Sequence, residues 1–257
     1  MFINNFDPVA IDFFFLEIRW YSLSYIIGIL LGWLYCKKIL IKEKHILTLF
    51  DDLITYIILG IIVGGRLGYV IFYNLEYYLN NLSEIFMIWK GGMSFHGGLI
   101  GVITLTIFFS KKYNVNKFIF LDLISASAPI GIFLGRVSNF INSELYGKET
   151  GIFWSVIFPK IDNIPRHPTQ IYEAFLEGIV LFFILFFFVK KNYLLRPGII
   201  SSFFLLFYSI FRFIIEFFRV PDEQLGFVLL NLTMGQIMSL IFFTFGFYLL
   251  LKKKNEN

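Results

Sequence analysis

Charge and cysteine are both scarce in this chain. Only 16% of its 257 residues are charged, against about 25% in an ordinary soluble domain. The single cysteine, Cys36, excludes an internal disulfide and a thiolate metal cluster. It lies beside Lys37 and Lys38 at the end of an apolar run and reads as a small apolar filler rather than a nucleophile. Several catalytic signatures are missing too. There is no H-E-x-x-H, no G-x-S-x-G, no G-x-x-x-x-G-K-[ST] and no G-x-G-x-x-G, so zinc proteolysis, nucleophile-elbow chemistry and nucleotide hydrolysis lose their main support. The first twenty residues lack a basic n-region and a small-residue cleavage site, so the first hydrophobic segment is expected to stay in the protein.

What fills the chain instead is apolar: 58% of residues are hydrophobic and 21% aromatic. An all-α, polytopic membrane helix bundle follows. About 20 mainly apolar residues are needed to cross a bilayer, and seven stretches qualify: 19–36, 51–73, 94–110, 118–137, 170–189, 197–218 and 231–251. Loop charge orients them. Thirteen Lys and Arg residues fall in one alternating set of connections, at 37–44, 111–117, 190–196 and 252–254. The opposite set holds six, Arg19, Lys90, Lys148, Lys160, Arg166 and Arg219, offset by acids such as Glu76, Glu84 and Glu149. The N-terminus is therefore expected outside and the C-terminus in the cytoplasm. With no low-complexity linker, residues 1–257 read as a single integral membrane domain. Its one long connection, about 138–169, is expected to be an ordered outer segment, stiffened by Pro159, Pro165 and Pro168.

Within that orientation the polar residues share one side. Arg66, Arg136 and Arg212 fall in the outer halves or ends of their spans, and Tyr21, Ser94 and His96 at the outer starts of theirs. At 1.5 Å per residue, Arg66 sits roughly 10–12 Å below the outer boundary near Asn74. A charge within a span costs at least ~2.5–3.5 kcal/mol, so three arginines on one side require anions, from the protein or from a ligand. "FRFIIEFFRVPD" sets Arg212, Glu216 and Arg219 on one helical face, with Glu216 between two guanidinium groups. "GGMSFHGG" surrounds His96 with four glycines; this histidine is either a general base or a hydrogen-bonded interfacial residue. His45 reads as solvated and His167 as shaping the outer loop. "GGRLGY" and "LGRVSN" each place glycine beside arginine, which implies tight helix packing at both.

These blocks resemble, in order, those of bacterial prolipoprotein diacylglyceryl transferases. "GRVSNFINSELYG" is similar to that family's signature G-R-x-G-N-F-x-N-x-E, with Ser138 where the pattern has glycine. "GGRLGYVIFYN", "GGMSFHGGLIG", "RHPTQIYE" and "FRFIIEFFRVPD" match further blocks, and the resemblance runs from Asp7–Pro8 to Met234–Gly235–Gln236. It implies an enzyme of the bacterial inner membrane, with its active site facing the outer leaflet. The reaction would move the diacylglyceryl group of phosphatidylglycerol to the lipobox cysteine of an exported prolipoprotein, leaving a thioether and glycerol phosphate. By motif, Arg136 resembles the lipid-binding arginine. Tyr21, His96, Asn139, Glu144, Gly147, Arg212 and Glu216 resemble the other required positions, and Arg66 and Arg219 match motifs as further substrate-binding candidates.

The chemistry fits the residues. Guanidinium is the natural bidentate partner of a phosphate, and Arg136 and Arg212, with Arg66, are expected to hold it as charge grows on the leaving group. A free thiol has a pKa near 8.5, so attack needs a base, for which His96 is the candidate, or a positive field. Asn139, Glu144 and Tyr21 are expected to orient the headgroup or the arginines. The expected partners are phosphatidylglycerol, lipobox-containing prolipoproteins and membrane lipid, with no metal, cofactor or nucleic acid. A lipid flippase or transporter would need polar residues at the midplane and inner half as well, and a structural scaffold would use the arginines for stability alone.

Overall fold

The computed structural model describes residues 1–13, 16–221 and 226–255. Seven long helices run through them: α1 (Trp20–Leu40), α2 (Lys44–Tyr73), α3 (Phe95–Lys112), α4 (Lys117–Asn142), α5 (Thr169–Lys190), α6 (Ile199–Ile215) and α7 (Met234–Asn255). Each overlaps one of the apolar stretches of the sequence. Five of them, α1, α2, α4, α5 and α7 as far as Lys253, are long and apolar enough to cross a membrane, while α6 is a shorter apolar helix of 17 residues. The chain is a mostly helical, multi-pass membrane protein.

The backbone divides into two compact units, Met1–Cys36 with Asp122–Asn257, and Lys37–Leu121. In the second unit α2 and α3 touch backbone to backbone. Gly60, Gly64 and Gly68 recur every four residues on α2 and face Gly97 and Gly101 on α3; a Cβ on Gly68 would lie 2.6 Å from the Gly97 Cα. Small residues allow such approach, and in lipid close packing replaces the hydrophobic drive between helices. The packing expected beside Arg66 is thus present. Beside Arg136 it is not, because Gly135 has open space around it.

In the first unit Gly28 of α1 rides over the Gly131 Cα, and Gly178 of α5 over Phe133 of α4. Buried Asp122 on α4 accepts bonds from Gly198 N at 2.7 Å and Ser201 N at 2.8 Å, and so caps the start of α6 from another helix. Those amides have no partner within their own helix. Thr233 and Gln236 form a reciprocal cap at the start of α7, of the kind T-x-x-Q encodes.

Among the described residues three two-stranded sheets lie outside the helices, none of which the hydropathy pattern suggested. Val9–Phe13 pairs antiparallel with Leu16–Arg19, Phe2–Ile3 parallel with Val156–Ile157, and Phe227–Leu229 antiparallel with Leu232–Thr233. The long connection after α4 is tied down by backbone bridges Glu149 to Arg166 and Gly147 to Arg219.

Candidate active site

The chemistry-bearing residues of the first unit converge on a buried knot of charge. Arg136 on α4 directs Nε to Glu173 Oε2 at 3.1 Å and Nη2 to Glu177 Oε2 at 3.5 Å. Arg212 on α6 binds Glu173 Oε1 through Nη1 and Glu216 Oε1 through Nη2, and lies 3.8 Å from Glu177 Oε1. Arg219 Nη1 reaches Glu216 Oε1 at 3.4 Å and Glu173 Oε1 at 3.9 Å. Three guanidinium groups thus face three carboxylates, and Glu173 meets all three arginines. The Glu173 and Glu177 side chains are fully buried, whereas Arg136 keeps 17% of its side chain exposed, the most of the three arginines.

The elements explain this convergence. Glu173 and Glu177 stand four residues apart on α5, one just before and one within a π-helical stretch, Ala174–Val180. Such stretches recur at functional sites. Helix α6 ends at Ile215, so Arg219 lies beyond it rather than on the same helical face as Arg212. A turn at 216–218 brings Arg219 back to Glu216, so the expected Arg–Glu–Arg contact forms by a different route. Thr233 Oγ1 donates to Glu216 Oε2 at 2.7 Å, and Gly235 packs directly on that carboxylate.

The end of α4 supplies a second group. Asn139 Nδ2 donates to Glu144 Oε2 at 2.9 Å and Asn142 Nδ2 to Oε1 at 3.2 Å, while Gln170 Nε2 donates to the Glu144 backbone oxygen at 2.5 Å. Ser143 (φ 61°) and Leu145 (φ 55°) flank Glu144 in the left-handed region. Such backbones cost about 1–3 kcal/mol each and persist where the surroundings over-determine them. Tyr21 hydrogen-bonds Tyr25 through its hydroxyl at 3.3 Å and lies within electrostatic reach of Glu144 and Arg136. Gly147 is needed for space: a Cβ there would lie 2.5 Å from the His167 carbonyl oxygen. His167 Nδ1 contacts the Tyr172 hydroxyl at 3.1 Å, and burial pushes the imidazole below its ordinary pKa. Ser138 is helical, so no positive φ is required where the signature has glycine, and its hydroxyl donates to the Trp20 carbonyl at 3.2 Å.

Arg66 and His96 belong to the other unit. Arg66 is buried on α2 and spends its guanidinium on backbone oxygens: Nε on Ile85, Nη1 on Gly91 and Gly92, and Nη2 on Glu84 and Met87. Arginine has five N–H donors, and five bonds are made. A residue expected to hold phosphate instead stitches the connection 84–92 together, with Tyr78 stacked under its guanidinium at 5.1 Å. His96 sits half-buried in the first turn of α3, just after the Ser94 cap, whose hydroxyl accepts from Gly97 N at 3.2 Å. Among the described residues no cluster of His, Cys, Asp and Glu is arranged to hold a metal ion.

Glu173 and Glu177 are the site residues that sequence reasoning missed. The signal was present: two carboxylates four residues apart inside an apolar helix, where an ionisable residue marks a partner or a function. Spacing along α5 does not show which arginines on other helices these carboxylates meet.

Apolar helices and the buried arginine–carboxylate network among them define a multi-pass membrane protein with charge sealed inside its helices. The family model described as Prolipoprotein diacylglyceryl transferase matches residues 8–252. The chain is 49% identical over 253 residues to the phosphatidylglycerol–prolipoprotein diacylglyceryl transferase of Rickettsia felis, covering 97% of this chain and 98% of the relative. It is 49% identical to that of Rickettsia typhi over the whole of both chains, and 50% identical to that of Rickettsia akari over 97% and 98%. The chain belongs to the prolipoprotein diacylglyceryl transferase family.

Proposed function

We propose that this transferase moves the sn-1,2-diacylglyceryl group of phosphatidylglycerol to the cysteine thiol of a prolipoprotein lipobox, the first step of lipoprotein maturation. Family membership over nearly the full length supports the activity. The observation that carries the site assignment is Glu173, which draws the Arg136 and Arg212 guanidinium groups onto one carboxylate and so holds a preformed cation pair.

The lipid phosphate binds at Arg136, the most exposed member, with Arg212 behind it. As sulfur attacks the glyceryl carbon, the C–S bond forms and the C–O bond breaks with its electron pair going to the phosphate oxygen. Guanidinium groups held in place by Glu173 and Glu216 meet that growing charge. Glu216, clamped by Thr233, fixes Arg212 and Arg219, and Asn139, Glu144 and Tyr21 orient the headgroup. His96 is the base for the thiol in this reading, and Arg66 orders the chain that leads to it. Seven spans in one domain, an outside N-terminus and an active site toward the outer leaflet of the bacterial inner membrane complete the proposal, supported by the alternation of loop charge.

The test is thioether formation by the purified protein from phosphatidylglycerol and a lipobox peptide. Loss of product in Arg136→Ala is expected, and full activity in that variant would sink the assignment. A pH–rate profile unchanged in His96→Gln would remove His96 as the base.

A further inference from the structure

The knot of charge is already balanced without a further anion. Arg136, Arg212 and Arg219 formally cancel Glu173, Glu177 and Glu216. A phosphodiester monoanion added to this set leaves one uncompensated negative charge beside side chains that are 0–17% exposed. Buried unpaired charge is so costly that a titratable group neutralises instead. One of the three carboxylates must therefore change state when a phosphate binds.

The three are not held equally. Glu173 meets all three arginines. Glu216 is bound by Arg212 and Arg219 and accepts the Thr233 hydroxyl at 2.7 Å. Glu177 has one long bond, from Arg136 Nη2 at 3.5 Å; its Oε1 accepts no hydrogen bond among the described residues, and neither does Glu173 Oε2, but Glu173 keeps the short Arg212 bond at its other oxygen. Its nearest other cation is Arg212, at 3.8 Å. The charged and titratable groups facing it are Arg136 from α4, Arg212 and Tyr208 from α6, and Glu173 on its own helix. It is the one carboxylate whose release breaks no short contact.

We propose that Glu177 is a proton-coupled gate for the lipid phosphate: the incoming phosphodiester displaces it from Arg136 and Arg212, and Glu177 takes one proton from solvent. Once neutral, the carboxyl has an O–H to donate to a phosphate oxygen, so the displaced group becomes a further contact. The proposal rests on the reading that a phosphate occupies the Arg136–Arg212 pair. It adds to that reading a linkage between headgroup binding and pH.

The experiment is calorimetric titration of the purified protein with phosphatidylglycerol nanodiscs, without peptide, in buffers of differing ionisation enthalpy. Wild type should take up roughly one proton per lipid bound, with affinity falling up to about tenfold per pH unit on the alkaline side. In Glu177→Gln the uptake should vanish, and affinity at alkaline pH should equal or exceed that of wild type. No proton uptake by the wild-type protein, or wild-type uptake in Glu177→Gln, would overturn the gate. The wild-type arm needs no variant to fold. If wild type binds the lipid with proton uptake yet forms no thioether with a lipobox peptide, the enzymatic reading fails and the gate stands.

Discussion

Replacing Arg66 separates two roles that sequence alone left together, phosphate ligand and loop clamp. Five backbone oxygens between Glu84 and Gly92 depend on its guanidinium, and the residue is only 4% exposed. A net hydrogen bond is worth about 0.5–1.5 kcal/mol, and somewhat more with a charged donor. Five of them sum to several kcal/mol, but the released loop can recover solvent for some carbonyls, so Arg66→Ala is expected to cost about 3–5 kcal/mol. Arg66→Lys should recover little, because one ammonium cannot reach five oxygens laid out for a planar fork. The assay pairs thermal unfolding in detergent with thioether kinetics. Melting temperature and kcat should fall, while KM for phosphatidylglycerol stays within about twofold of wild type. An unchanged melting temperature with a KM raised tenfold or more would refute the clamp and restore Arg66 as a phosphate ligand.

Other substitutions test the frame around the site. Gly101→Ala drives a Cβ into the Gly60 carbonyl oxygen, where both partners are backbone, so a loss of about 1–3 kcal/mol is expected in the same unfolding assay. Asp122→Ala removes three acceptor contacts from the start of α6 and should cost about 1–3 kcal/mol, and a melting temperature equal to wild type would refute the cap. The Arg166 guanidinium holds the Asp162 carboxyl below its usual range. A depressed carboxylate contributes stability that is present above its unfolded pKa of about 4 and is lost as pH falls through the folded value. Protease resistance of the 143–168 segment should therefore fall below about pH 4 in wild type, and that acid dependence should disappear in Asp162→Asn.

Much of the fold was legible because lipid makes the rules severe. A spanning helix must satisfy its own backbone and show an apolar surface, so apolar runs mark the helices directly. The glycines of GGRLGY announced a close contact, and Gly64 and Gly68 make it, joined by Gly60 one turn earlier. Gly135 followed the same local pattern and packs against nothing, because a glycine permits close approach without causing it. The pairs Phe2–Ile3 with Val156–Ile157 and Phe227–Leu229 with Leu232–Thr233 are not legible in the sequence, for two or three residues of β-structure carry too little periodicity to register.

Of the candidate site, the sequence by itself determined its ingredients. Scarce charge, arginines inside apolar runs and the ordered blocks around Arg136 and Arg212 carry the family resemblance on their own. The tertiary structure alone decided who pairs with whom. Glu173 and Glu177 look like stray acids in an apolar helix until α4 and α6 bring Arg136 and Arg212 onto them. Arg66 and Arg136 look alike in sequence, yet one binds a ring of carbonyls and the other carboxylates. Burial makes each cation take whatever anion or dipole lies within a few ångströms. That neighbour is set by packing across distant helices, which periodicity along one helix does not encode.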